Sequence, residues 1–184
     1  MEKGTIKQQL ELRQSTTFWA SPIQHKNDLI IPLTKALYLF NGETLEEIEE
    51  FSDTRGQLYI SSYNQNLFVV DSIYAGIRGY NMEKRAVTWE SEQLKEVNIF
   101  TTPVVYEDYL VIANSENDIY RFNHTVKSQS PLILRIGVGI ASNFIPHEEY
   151  VYFVAQDGFF YRLDIEGFDY VEKLVKVDKN ADLN

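Results

Sequence analysis

The sequence predicts an all-β protein, a β-propeller of four antiparallel four-stranded blades. A unit of about 41 residues occurs four times, opened by Ser21-Pro22, Ser61-Ser62, Thr102-Pro103 and Ser142-Asn143 and closed by Asn41, Asn81, Asn123 and Asp164. Both sets of landmarks recur every 40 to 42 residues, and a period near 40 carried by strand patterning alone is that of propeller blades. The apolar runs inside each unit are short, β-branched or aromatic, and bounded by turn formers, which is the signal of strands and hairpins. No long helix competes: the stretch from Thr44 to Phe51 holds good helix formers, but its neighbours place it at an outer-strand position. A β-sandwich would account for the strands without requiring a constant period.

The elements follow in chain order within one domain, 1–184. Gln8-Gln9-Leu10-Glu11-Leu12-Arg13, within 6–18, lies as far before Ser21 as Phe51 lies before Ser61, so it reads as the outer strand of a preceding blade. Blade 1 (19–56) has expected strands at 21–24, 29–33, 36–40 and 45–51, and blade 2 (57–98), the most drifted, at 58–63, 67–71, 75–80 and 85–90. Blade 3 (99–138) is the clearest, with Tyr109-Leu110-Val111-Ile112-Ala113 and Asp118-Ile119-Tyr120-Arg121-Phe122 between a first strand at 102–106 and a fourth at 132–136. In blade 4 (139–178) Phe144-Ile145 leads into a turn at Pro146-His147-Glu148-Glu149, then come 150–154, the hairpin signal Gln156-Asp157-Gly158, 159–163 and 170–175. A polar tail, 179–184, ends the chain. Second strands are nearly all apolar, as strands covered on both faces should be. The charged fourth strand of blade 1, with Glu46, Glu47, Glu49 and Glu50, reads as a solvated edge that resists pairing with another molecule.

Hydrophobic residues make up 44% of the chain and aromatic residues 14%, ample for sheet-on-sheet packing. Lys and Arg number 17 against 27 Asp and Glu, a net charge of −10. That balance excludes a nucleic-acid-binding surface, which needs clustered cations, and suits a cationic partner. The absence of Cys removes disulfides, thiolate metal sites and Cys nucleophiles. No apolar run is long enough for a membrane span, and the N-terminus lacks the apolar core of a secretory signal, so a cytoplasmic protein is expected.

The side chains that carry chemistry have plain structural explanations. His25, His124 and His147 are expected in exposed turns, too few and too scattered for a metal site. Asn114-Ser115-Glu116-Asn117-Asp118 is rich in oxygen but lacks the glycine and spaced acids of a calcium loop. Gly76-Ile77-Arg78-Gly79 sits inside a strand, so it marks a bulge or close strand approach and not a phosphate cradle. No Ser-His-Asp order stands out, and no enzyme activity or cofactor is expected. Binding is expected where the loops between second and third strands gather on one face, at Lys35, Tyr74, Glu116, Asn117 and Asp157.

The run Thr102-Pro103-Val104-Val105, then Tyr109-Leu110-Val111-Ile112, then Asp118-Ile119-Tyr120-Arg121-Phe122-Asn123 resembles the repeat of the PQQ-like propellers, a superfamily with quinoprotein dehydrogenases and the outer-membrane-assembly lipoprotein among its members. Val87-Thr88-Trp89-Glu90 looks like that repeat's Trp-bearing fourth strand. The likeness covers about residues 19 to 176. Only the second unit carries the fourth-strand Trp; the other units are expected to place Ile48, Leu134 and Leu174 there. Quinoprotein dehydrogenases use eight blades and commonly a vicinal Cys pair, whereas this chain has four units and no Cys.

The resemblance and the composition together lead to a non-enzymatic protein-binding scaffold that engages a basic protein, an immunity-type protein neutralising a secreted toxin being one form of it. The alternative is a fragment or half-ring of a PQQ-dependent or sugar-handling enzyme. Five outer strands against four sets of inner strands leave three arrangements open: part of a longer propeller, self-association of two copies into a larger ring, or a small closed ring with one surface strand.

Overall fold

The computed structural model describes residues 21–32, 37–44, 47–51, 58–64, 66–71, 76–84, 86–91, 94, 99, 101–126 and 129–177. Lys35, Tyr74, the expected strand within 6–18 and the tail at 179–184 lie outside them. Four sheets are described. Sheet 1 holds β1 (Ile23–His25), β2 (Asp28–Pro32), β3 (Leu37–Asn41) and β4 (Glu47–Phe51); sheet 2 holds β5 (Leu58–Tyr63), β6 (Asn66–Asp71), β7 (Gly76–Asn81) and β8 (Ala86–Ser91). Sheet 3 holds β9 (Val104–Tyr106), β10 (Tyr109–Ala113), β11 (Asp118–Asn123) and β12 (Leu132–Arg135); sheet 4 holds β13 (Ile145–His147), β14 (Tyr150–Val154), β15 (Phe159–Asp164) and β16 (Val171–Lys176). Each is an antiparallel meander in sequence order. The first strands stand side by side, β1 beside β5, β5 beside β9 and β9 beside β13, as the inner strands of propeller blades do.

The repeat survives sequence drift because backbone conformation recurs where composition does not. All four hairpins joining first to second strands put their first loop residue in the left-handed region: Lys26 (φ 55°), Asn64 (52°), Glu107 (48°) and Glu148 (53°). Asn117 (φ 72°) and Gly158 (80°) do the same one hairpin later in sheets 3 and 4. The closing residues have a shared task. Asn41 Oδ1 accepts from the N–H of Glu43 at 2.9 Å, Asn81 Oδ1 from Lys84 at 2.8 Å, Asn123 Oδ1 from Thr125 at 3.0 Å, and Asp164 Oδ1 from Glu166 at 2.9 Å. A short side-chain oxygen satisfies the turn after each third strand, a task for which Asn and Asp have the right reach.

Core packing runs between sheets. Ile30, Leu37 and Leu39 of sheet 1 meet Ile60 and Tyr80 of sheet 2. Phe68, Ile77 and Trp89 of sheet 2 meet Leu110, Ile112, Tyr120 and Phe122 of sheet 3. Val104, Val111, Ala113 and Ile119 of sheet 3 meet Val151, Phe153, Tyr161 and Leu163 of sheet 4. The side-chain period of two sends alternate residues of each inner strand to opposite neighbours, so Leu110 and Val111 serve different interfaces. Gly79 is where two large rings need room: a Cβ there would lie 3.3 Å from the Phe68 ring and 3.5 Å from Trp89 Cβ. The register shifts between Gly79 and Tyr80, the bulge that the glycine pair predicted.

Several expectations need correction. Pro146 and His147 belong to β13 and pair with Val151 and Tyr150, so the turn is only Glu148 and Glu149. His25 ends β1 and is 7% exposed, buried instead of standing in solvent. The opening hydroxyl that repeats is Thr101, not Thr102: Thr101 Oγ1 accepts from Ala113 N–H at 2.8 Å as Ser142 Oγ does from Val154 N–H at 2.9 Å. Ser61 is no counterpart, because it lies inside β5 opposite Phe68. Opposite Gly79, Trp89 occupies the register position that Glu49, Leu132 and Glu172 hold in the other sheets, not Ile48, Leu134 and Leu174. Shifts of one or two residues escape sequence alignment because bulges and hairpin length change the register while leaving the spacing of the unit almost unchanged.

Candidate functional site

Meander topology sends the loops to two rims. The rim chosen from the sequence carries the hairpins between second and third strands. Its described members, Glu116, Asn117 and Asp157, occupy equivalent hairpins of sheets 3 and 4, and internal bonds hold them. Buried Asn114 organises the first hairpin, accepting from the N–H of Asp118 (2.8 Å) and Glu116 (3.0 Å) through Oδ1 and donating from Nδ2 to the Tyr120 hydroxyl at 3.1 Å. Asn117 Oδ1 accepts from Ile140 N–H at 3.3 Å, tying this hairpin to the strand leading into sheet 4. Asp157 Oδ2 accepts from the Tyr161 hydroxyl at 2.8 Å and from Lys173 Nζ at 2.9 Å. Lys173 sits 3.6 Å from the Phe159 ring centroid. The Lys173 hydrogen bond holds the Asp157 carboxyl below its ordinary range, and the same bond raises the Lys173 ammonium. Of the three, only the Glu116 carboxylate stands exposed with no such bond holding it.

The opposite rim, which the sequence reading passed over, holds the hairpins between first and second strands and the turns after third strands. Backbone bonds join the two sets: Gly42 N–H to Asn27 O, His124 N–H to Asp108 O and Ile165 N–H to Glu149 O, each 2.9 Å. Gly42 is required by that approach, since a Cβ there would fall 2.1 Å from the Asn27 carbonyl oxygen. Among the described residues, exposed Glu43, Glu83, Glu107, Asp108, Glu148, Glu166 and Asp169 all lie on this rim, against Lys26 and Lys84. Lys26 is partly neutralised by Glu83 at 3.4 Å, a bridge between sheets 1 and 2. A pocket of about 360 Å³ opens here between Gln24, Asn27, Asp28, Leu29, Gly42 and Glu43. It sits at the small end of ligand-site volumes. The signal for this rim was available, because turns with paired acids at Glu107-Asp108 and Glu148-Glu149 recur one unit apart.

Arg121 and Arg162 occupy equivalent places on β11 and β15 but have different partners. Arg121 donates to the carbonyls of Ile165 (2.6 Å) and Glu166 in sheet 4, with its guanidinium 4.4 Å above Tyr109 and 5.1 Å from Phe168. Arg162 lies 4.6 Å above Tyr150 and pairs within its own sheet with Glu172, at 2.9 Å from Nε. Its pKa is raised chiefly by that hydrogen bond. Among the described residues no three His, Asp or Glu side chains converge as a metal site would require.

No family model matches the sequence, and no curated protein matches it. Solved structures do. BamB from Moraxella catarrhalis superposes with a TM-score of 0.63 at 15% identity over 78% of this chain and 42% of its own. The computationally designed Ika4 protein gives 0.67 at 12% identity over 87% of this chain and 99% of its own. The class of protein is therefore a β-propeller built of four-stranded antiparallel sheets. The chain spans about two fifths of the length of the BamB chain and nearly the whole of the designed protein.

Proposed function

We propose that this chain is a non-enzymatic protein-binding scaffold whose acidic rim engages a basic protein. The observation that carries this reading is the rim's charge: among the described residues seven exposed carboxylates stand there against two lysines, on a molecule of net charge −10. Such a surface draws cationic partners and speeds their encounter. An immunity-type protein that neutralises a basic secreted toxin is one form of the same chemistry. The likeness to BamB is compatible with a scaffold role but extends to the fold alone.

Immobilised protein challenged with a lysate at low and at moderate salt tests the proposal. Expected is retention of basic proteins that falls with salt. Reversing Glu107, Asp108 and Glu148 to Lys should abolish it, and Glu116→Lys on the other rim should leave it. Retention of nothing, or retention indifferent to the reversal, would count against the reading. A second reading takes the chain as a piece or half-ring of a larger propeller, in keeping with its span of 42% of the BamB chain, and gives that larger ring the quinone chemistry that the PQQ-like resemblance implies. Incubation with PQQ and calcium followed by gel filtration tests it: co-elution of the chromophore supports the enzyme, and a colourless protein peak removes it.

A further inference from the structure

We infer that the outward face of sheet 4 is a docking surface for a second copy of this chain, the two copies meeting face to face about a two-fold axis. The face is built as an inter-sheet interface. One unit earlier, Val104, Val111, Ala113 and Ile119 pack on sheet 4 at 4%, 0%, 0% and 0% exposure. Their counterparts in sheet 4, by position in the strand ladders, are Ile145, Tyr152, Val154 and Phe160. Among the described residues nothing packs on these: Ile145 is 58% exposed, and Tyr152, Val154 and Phe160 are half-buried, with the Tyr152 and Phe160 rings stacked 5.5 Å apart. Leu134, partly buried against sheet 4, corresponds to Val175, 61% exposed. Large apolar side chains left open on a soluble protein mark an interaction surface.

Two observations select a second copy. Among the described residues the array has one open end. At the other end Ile31, Tyr38 and Phe40, which face away from sheet 2, are already buried at 7%, 4% and 2%. A molecule with a single open face satisfies it by pairing with itself, and such an isologous contact stops at two copies. The face also carries little net charge on a molecule of charge −10: Arg162 and Glu172 pair across it, and Asp164 at its edge adds one negative charge. Apolar, weakly charged surface is where two like-charged copies repel least, whereas a basic partner is drawn to the acidic rim. Four strands about 4.8 Å apart and about five residues long give a footprint on the order of 300 Å² per copy. That is below the roughly 800 Å² per partner of a standard interface, so the dimer is reversible and concentration-dependent.

This inference is independent of the acidic-rim reading, which concerns other residues. Sedimentation equilibrium over a wide concentration range tests it. The wild-type protein should shift from monomer to dimer and no further. Phe160→Glu and, at the more exposed position, Ile145→Glu should each remain monomeric with unchanged circular dichroism, while Ile133→Glu, on exposed β12 away from the face, should dimerise as before. Because the chain has no Cys, Tyr152→Cys with a short bis-maleimide reports geometry. A residue near a two-fold axis meets its own copy, so a single covalent dimer is expected. A monomer at every concentration, a dimer that survives both glutamates, a ladder of higher oligomers, or no self-cross-link at Tyr152→Cys would overturn the inference.

Discussion

His25 shows what a single residue can carry that composition hides. It ends β1 at 7% exposure with Nε2 buried and without a hydrogen-bond partner. Burial lowers its pKa, the neighbouring Lys26 cation lowers it further, and Asp28 opposes them. The unfolded chain therefore takes up a proton as pH falls below about 6.5 while the folded chain resists. Stability is fully present above that value and declines as pH drops through the interval down to the lowered folded pKa. The urea midpoint should fall between about pH 7.5 and pH 5.5, and His25→Phe should shrink that difference. An undiminished difference in the variant would assign the acid sensitivity to other groups. At the same scale, the closing residues Asn41, Asn81, Asn123 and Asp164 were legible in the sequence because their function is local, a side chain bonding its own turn. The burial of His25 was not, since the residues that cover a side chain need not be its neighbours in sequence.

Among the elements, sheet 2 depends on one exchange of volume. Gly79 has no Cβ, and Trp89, opposite it, fills the space against Phe122 with ring centroids 6.0 Å apart in an edge-to-face arrangement. Trp89 is 7% exposed and joins Phe68, Ile77, Leu110 and Ile112 between sheets 2 and 3. Trp89→Ala should cost about 3–5 kcal/mol, the usual range for emptying such a site. The measurement is the urea midpoint at unchanged slope; a loss below about 1 kcal/mol would show that the sheets close over the cavity. The strands themselves were largely readable: 58–63, 109–113 and 150–154 were placed to the residue, and the others within two positions. Ends beside Pro146 and the fourth-strand registers were not, because hairpin length and bulges decide them.

For the whole molecule, charge and apolar surface make opposite demands that salt separates. Rising ionic strength screens the mutual repulsion of two copies with net charge −10 and weakens attraction between the acidic rim and a cation. Adding salt should therefore increase the dimer fraction in sedimentation while decreasing retention of basic proteins. Both quantities moving in the same direction would mean that one surface serves both contacts. Asp157 illustrates why the site was harder to read than the fold. Its place on a loop was foreseeable, but Lys173 and Tyr161, from β16 and β15, engage it only after sheet 4 assembles.

The sequence by itself determined the all-β class, the 41-residue unit and the turns that separate its strands. Those properties rest on alternation, turn chemistry and short-range bonds, which act over a few residues. Only the tertiary structure decided which loop carboxylates are held by internal bonds and which end of the array stays open among the described residues. These depend on what packs against each face, and identical spacing in sequence leaves Val111 fully buried and Tyr152 half-buried because sheet 3 has a following sheet and, among the described residues, sheet 4 has none.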